Sequence, residues 1–495
     1  MKLNKIALAA LALASSGAFA ATVTPSCGAA ALTDGVALLK TCAPDVTFYG
    51  AGATAMKTAI QTVLSTDGKV FDKSKPFVTI NLDGNTNAYA YYGYGAAGKP
   101  YAGKKVAVII NGTNGSMAGV NQLLSGLKNG SIEAGQDQAE YVTIKLHSAA
   151  DQKNGNAMPD SDVTSSSGTA LAPVVSLKST RVADFKTAWG TDKQKVAHMA
   201  FSDVRPSEAT PGQIAKWDPK AFPAETIAMQ GFGVLVNTNM YKALQKRDIA
   251  AGRMASACQD DVLTAACQPN ISTADYTSLM TGKVASAADF LGDSGETRAF
   301  TLHRRPASSG TQAATQIRFA GEANYVGKTP IAGVDLFDMA GYEVTNTTGV
   351  NVGGVTVKTY SGTGDLISAI KGNTSGLSIG VASLDNPAAS KLGATRDAQT
   401  AFWTKLDGIS PDFKGDGTLD DKYRTALQTG YSFAFEFQTI KSAKLAGDYS
   451  AIYSDIVAGL KNPTANLTGI AYIGGTTNAT PWTRGGNNFF PLNKY

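Results

Sequence analysis

The stretch "AFTLHRRPASSGTQAATQIRF", residues 299–319, changes character twice within a short run. Its apolar opening reads as a strand, its Ser/Gly/Thr centre as a tight loop, and its end as the start of a helix. The same order occurs twice more. After "VTFY" (46–49) come "GAGAT" (50–54) and a helical run with Met56, Ile60, Val63 and Leu64 on one face. After "VAVII" (106–110) come "NGTNGS" (111–116) and Met117, Val120, Leu123, Leu124 and Leu127 at helical spacing. Further apolar runs, "GVLVN" (233–237) and "LSIGVASL" (377–384), add strands. Strands alternating with amphipathic helices predict an α/β fold. The polar, Gly/Ser/Asp-rich residues 144–194 read as a mostly irregular insertion, and "EVTNTTGVNVGGVTVKTY" (343–360) as a hairpin.

The amino terminus carries Lys2 and Lys5, an apolar run from Ile6 to Leu13, and Ala18-Phe19-Ala20. Charged start, short apolar stretch and A-x-A site predict a cleavable secretory signal over residues 1–20, and hence an exported protein, periplasmic or extracellular. Removing it leaves 495 − 20 = 475 residues, room for two or three domains. With 17% charged residues, a formal net charge of +5 and no Lys/Arg run, nothing marks a nucleic-acid or anionic-membrane surface. Four cysteines fall as two near pairs, Cys27 with Cys42 and Cys258 with Cys267. Their even number in an oxidising compartment predicts two disulfides. The spacing lacks C-x-x-C and the chain has 3 histidines, so no metal site is expected.

The three loops share a chemistry. A helix begins with unpaired N–H groups and a partial positive end. Glycine allows close backbone approach, and a Ser or Thr at the cap adds a hydroxyl donor. Converging helix starts therefore form an oxyanion site without a large net charge; Arg304 and Arg305 add a cation beside the third loop. Asp203, in "MAFSDVRP" (199–206), looks misplaced next to an anion. It makes sense if the ligand keeps a proton: hydrogen phosphate can donate to a carboxylate, whereas fully ionised sulfate cannot. A buried acceptor facing sulfate is an unpaired, repelling group, so a single Asp gives strong discrimination.

Taken in order, "GAGAT", "GSMAGVNQL", "FSD", "RRPASSGT" and "GTGDLISAIKGNTSGLSIGVASLDN" resemble the periplasmic phosphate-binding proteins of phosphate ABC transporters, type II periplasmic binding proteins. The resemblance is scattered from residue 46 to about 386. It implies two α/β lobes joined by a hinge: lobe 1 from residues 44–238 and 386–495, including the 144–194 insertion, and lobe 2 from 239–385. It also implies a monomer that captures phosphate, needs no cofactor, makes or breaks no bond, and delivers its ligand to an ABC permease. Carried over by position, Thr54, Ser116, Ser309, Gly310 and Thr311 donate to the anion, and the Ala55 amide joins them. Arg305 is the cationic contact, Asp203 takes the ligand proton, and Arg304 is an exposed or structural neighbour. Two positions depart from the pattern. Ala55 stands where the family has an aromatic residue, and Ala307 where it has an aspartate that pairs with the arginine.

Other classes fit less well. A serine hydrolase built on Ser309 and His303 lacks the G-x-S-x-G elbow. A calcium loop at "DFKGDGTLDDKY" (412–423) has Lys414 and Tyr423 where ligands are needed. A surface or structural protein that keeps the fold without the ligand is the remaining alternative.

Overall fold

The computed structural model describes residues 44–75, 77–81, 88–112, 115–124, 197–206, 219–259, 263–306, 309–320, 346–360, 362–385, 401–413, 416–418, 431 and 433–462, with short strands at 146–147, 174–178, 181–182, 470–472, 482–483 and 493–494. The expected signal, Cys27, Cys42, most of the 144–194 insertion, Ala307 and Ser308 lie outside these residues.

In chain order the elements are β1 (Val46–Gly52), a 3-10 turn (Thr54–Met56), α1 (Lys57–Ser65), β2 (Phe77–Asn81), β3 (Ala88–Tyr94), β4 (Lys105–Asn111) and α2 (Gly115–Leu124). Next come β5 (Leu146–His147), β6 (Val174–Lys178), β7 (Arg181–Val182), β8 (Met199–Ser202), β9 (Ala224–Asn237), α3 (Thr238–Ala250), β10 (Asn270–Ile271), α4 (Thr273–Met280) and α5 (Ala287–Leu291). The remainder is β11 (Phe300–Arg304), α6 (Gly310–Ala320), β12 (Asn346–Val352), β13 (Val355–Thr359), α7 (Thr363–Gly372), β14 (Leu377–Ser383), β15 (Ala401–Trp403), β16 (Lys405–Leu406), β17 (Ala434–Lys441), α8 (Gly447–Leu460) and β18 (Ile470–Tyr472). The fold is α/β, and the strand and helix of each of the three runs form where the sequence predicts; Thr113, Asn114 and Leu127 lie outside the described residues. The hairpin expected over 343–360 is the antiparallel pair β12–β13.

The described residues fall into two compact units. The first draws on those within 44–47, 65–109 and 144–193. In it β2 pairs antiparallel with β3 and parallel with β6. An aromatic cluster fills it: the Phe77 ring lies 5.1 Å from Phe71 and 5.7 Å from Tyr91. Lys73 is buried there, its ammonium 5.0 Å above the Phe77 ring and bonded to the Ser65 carbonyl.

The second unit, drawn from 48–64, 110–143 and 194–495, holds every expected ligand-binding position. Its strands follow the order β12-β13-β11-β14-β9-β17-β8-β1. β11 runs parallel to both β13 and β14, and β1 parallel to β8. β9 is the organising strand. Its first part pairs antiparallel with β17 from Ala224 to Gly231, and its last part with β14 from Phe232 to Val236. Asn237 ends the strand and caps α3, accepting from the Met240 amide at 3.1 Å. Phe232, Leu302, Trp403 and Phe433 lie in one buried apolar cluster of this unit. Full burial contributes about 1.5–3 kcal/mol for each large aliphatic or phenyl side chain. Cys258 and Cys267 form the expected disulfide; such a bridge stabilises by roughly 2–4 kcal/mol in the chain-entropy account.

Candidate functional site

Strand register brings the loops together. β8 runs parallel to β9, and its last residue, Ser202, is level with Thr226 through their shared partner Gln438 on β17. β14 runs the opposite way and ends with Ser383 opposite Phe232. The ends of β8 and β14 therefore approach the middle of β9 from opposite directions. β11 lies beside β14 in parallel, so Arg305 leaves that same edge. β1 pairs with β8 through Gly52↔Phe201, which puts the Thr54 turn at the Asp203 end of the sheet.

Asp203 is the centre of the arrangement. It is 1% exposed and accepts hydrogen bonds from the Ser116 hydroxyl and, at 3.2 Å, from the Thr311 hydroxyl. Its own amide donates to Ser116 Oγ at 3.4 Å. Ser116 stands in the first turn of α2 and Thr311 in the first turn of α6, so two helix starts meet on one carboxylate. Gly310, the first residue of α6, makes this approach possible. A Cβ there would overlap Asp203 Oδ1 and Ser116 Oγ, so any larger residue would push the helix away. The first loop uses the same device: a Cβ on Gly119 of α2 would strike the Gly52 backbone. Burial raises the Asp203 pKa, opposed by the Ser116 hydrogen bond, its own backbone, the Arg305 charge and Thr311.

Arg305 is 1% exposed, a rare location for a guanidinium. Its Nε donates to the Tyr360 carbonyl at 3.0 Å and its Nη1 to Thr363 Oγ1 at 2.7 Å, while its amide donates to Gln312 Oε1 at 3.3 Å. Burial pulls its pKa down to about 10, with the charges of Asp203 and Asp365 opposing. It remains a cation at neutral pH. Asp365, in the first turn of α7, is the second acid whose charge acts on Arg305.

Ser309 is buried immediately before α6, its carbonyl accepting from the Ala313 amide at 3.0 Å. Thr54 opens the 3-10 turn after β1. Ala55 is fully buried in the apolar cluster with Val120, Leu123 and Ala200, so a side chain there faces the core. Ser116, Asp203, Gly310 and Thr311 are in direct contact, and Arg305 acts on Asp203 through its charge. Arg304, expected as exposed or structural, is 6% exposed, its Nε donating to the Arg305 carbonyl at 3.3 Å. His303 is a core residue, its ring nitrogens 3.2 Å from Tyr360 Oη and 3.0 Å from Ser378 Oγ. In the calcium-loop stretch, Asp412 Oδ2 accepts from Gln268 at 3.0 Å, and Asp416 caps its own turn through Thr418 at 2.7 Å.

Sequence reading includes "GTGD" in its fifth stretch but gives no site role to the loop that grips Arg305. "TYSGTGD", residues 359–365, is a fourth strand–glycine turn–helix run, the signal that identified the other three. Read alongside them, it supplies Thr363, Asp365 and the Tyr360 carbonyl.

No helix among the described residues is long and apolar enough to cross a membrane. No protein-family model matches the chain, and no curated protein matches it. Among solved structures it is similar to an ABC-type phosphate transport receptor from Vibrio cholerae, with 14% identity over 55% of this chain and 76% of that one and a TM-score of 0.28. It is also similar to a possible phosphate binding protein from Planctomyces limnophilus DSM 3776, with 9% identity over 84% of this chain and 88% of that one and a TM-score of 0.31. A phosphate binding protein from Stenotrophomonas maltophilia gives 15% identity over 55% of this chain and 70% of that one, with a TM-score of 0.31.

Proposed function

We propose that this chain captures hydrogen phosphate reversibly and passes it, as an exported periplasmic monomer, to an ABC permease. One observation carries the reading. A buried carboxylate, Asp203, is held by hydroxyls at two helix starts, with a buried guanidinium, Arg305, acting on it. Hydroxyls donate or accept by rotation, so Ser116 and Thr311 can turn from Asp203 to a phosphate oxygen. The ligand's own O–H then replaces them at the carboxylate. Ser309, the Gly310 amide and the Thr54–Ala55 turn complete the donors, and Arg305 supplies charge-assisted bonds. Capture uses two lobes, residues 44–238 with 386–495 and residues 239–385, closing about β9 and β14. The passage of β9 from β17 to β14 at its middle supports that hinge.

Calorimetry of phosphate-stripped protein tests the reading. Phosphate and arsenate are expected to bind and sulfate not to. In Asp203→Asn the amide can donate to sulfate, so the gap between phosphate and sulfate should narrow. A variant that discriminates like the wild type removes the role given to Asp203. Wild-type protein that gives no heat with any oxyanion belongs instead to the alternative in which Ser116, Asp203 and Thr311 are a structural network.

A further inference from the structure

Asp385 lies two residues beyond the end of β14 and is 1% exposed. Among the described residues neither of its carboxylate oxygens has a hydrogen-bond partner. A buried carboxylate left without donors is costly, and folds rarely retain one without a use. Its position points to that use. Ser383 pairs with Phe232, and the Leu384 amide bonds to the Gly231 carbonyl at 2.9 Å, which puts Asp385 at the middle of β9. β8 delivers Asp203 towards the same place from the other direction. The charges acting on Asp385 are those of Asp203 and of Lys57, the first residue of α1 behind the Thr54 turn. The Ser383 hydroxyl is its polar neighbour on β14, and Arg305, beyond Asp203, is the buried cation of the cluster. Asp203 has its hydroxyl donors and Arg305 its acceptors; among the described residues Asp385 has only the Ser383 hydroxyl and its own amide nearby, both outside hydrogen-bond geometry.

We propose that Asp385 is a second acid of the oxyanion site, holding one proton between its carboxylate and a ligand oxygen in the complex. The inference rests on the phosphate reading above. The proton count is explicit. The bound state contains one hydrogen on the ligand facing Asp203 and a second in the bond between the ligand and Asp385. At alkaline pH, hydrogen phosphate brings the first and ionised Asp385 brings none, so the second comes from solvent. At acid pH, dihydrogen phosphate brings two and the neutral acid one, so one proton is released. Affinity therefore peaks near neutrality. Burial agrees with this range: it raises the Asp385 pKa to about 7, helped by the Asp203 charge and opposed by Ser383, its own backbone and Lys57.

Calorimetric titration with inorganic phosphate near pH 8, in two buffers of different ionisation enthalpy, counts the protons directly. The wild type should take up about one proton per phosphate bound. Asp385→Asn, whose amide donates to the oxyanion without a proton, should bind with uptake close to zero. Asp385→Ser makes the same test if the asparagine variant does not fold. Wild-type binding without uptake, or uptake that persists in the variants, overturns the role of Asp385 and leaves the phosphate reading standing. Absence of wild-type phosphate binding at every pH removes both.

Discussion

Two buried aspartates of the second unit are stabilised in opposite ways. Asp248, on α3, accepts from Arg253 Nη2 at 2.8 Å, Arg247 Nε at 3.1 Å and the Asn270 amide at 2.9 Å. Asp203 accepts from the neutral hydroxyls of Ser116 and Thr311, while Arg305 spends its Nε and Nη1 on Tyr360 and Thr363. Guanidinium groups donate only and cannot turn into acceptors, so Asp248 is locked to α3 and β10. A hydroxyl can rotate to a new partner at little cost, so Asp203 is the one able to exchange partners for a ligand. The chemistry of the donors distinguishes the two aspartates better than burial does, since the two carboxylates are 2% and 1% exposed.

Breaking the locked pair should have the largest effect. Asp248→Ala leaves Arg247 with Asp275 and the Asn270 carbonyl as its named partners. The expected loss is about 3 kcal/mol of unfolding free energy, the low end for breaking a buried pair, read from urea denaturation. Phosphate affinity of the folded protein should not change. A parallel fall in affinity would erase the distinction between the two aspartates.

Arg305→Ala should give the converse result. It is expected to lose about 1.5–3 kcal/mol of phosphate binding, the range for a charge-assisted bond. Unchanged affinity by calorimetry would confine Arg305 to holding the Tyr360–Thr363 segment in place.

Much of this site was readable because its parts are local. Strand, glycine turn and capped helix follow one another along the chain, and Ser116, Gly310 and Thr311 sit where that order puts them. What was not readable depends on distant partners. The strand expected at 233–237 in fact begins at Ala224. "AETIAMQGF" shows little alternation, and it is strand because β17 and β18 pair with it. "AFEFQTIK" (434–441) alternates more clearly but was not assigned. Arg304 reads as an exposed or structural neighbour because nothing in "HRRP" tells which arginine the sheet buries; both are buried. Asp385 was in view within "SLDN", yet its lack of donors follows from where β14 ends against β9.

The smallest expected effect concerns His303, adjacent in sequence to Arg304 and two residues before Arg305. Burial, followed by the Lys358 charge, lowers its pKa to about 3, and burial lowers that of His198 to about 4. An unfolded histidine titrates near 6.5, so below that pH the unfolded chain takes up protons that the folded chain refuses. The stability due to the neutral rings is complete above about 6.5 and is lost as pH falls towards 4. Asp385 opposes this: its raised pKa lets the folded chain take up a proton as pH falls through about 7. His303→Gln cannot be protonated in this range but keeps a donor and an acceptor for Tyr360 and Ser378. It should reduce the acid-side fall of the urea midpoint while leaving phosphate affinity near neutral pH unchanged. An unaltered acid slope would mean that His303 titrates alike in both states, and altered phosphate affinity would move it from the scaffold to the site.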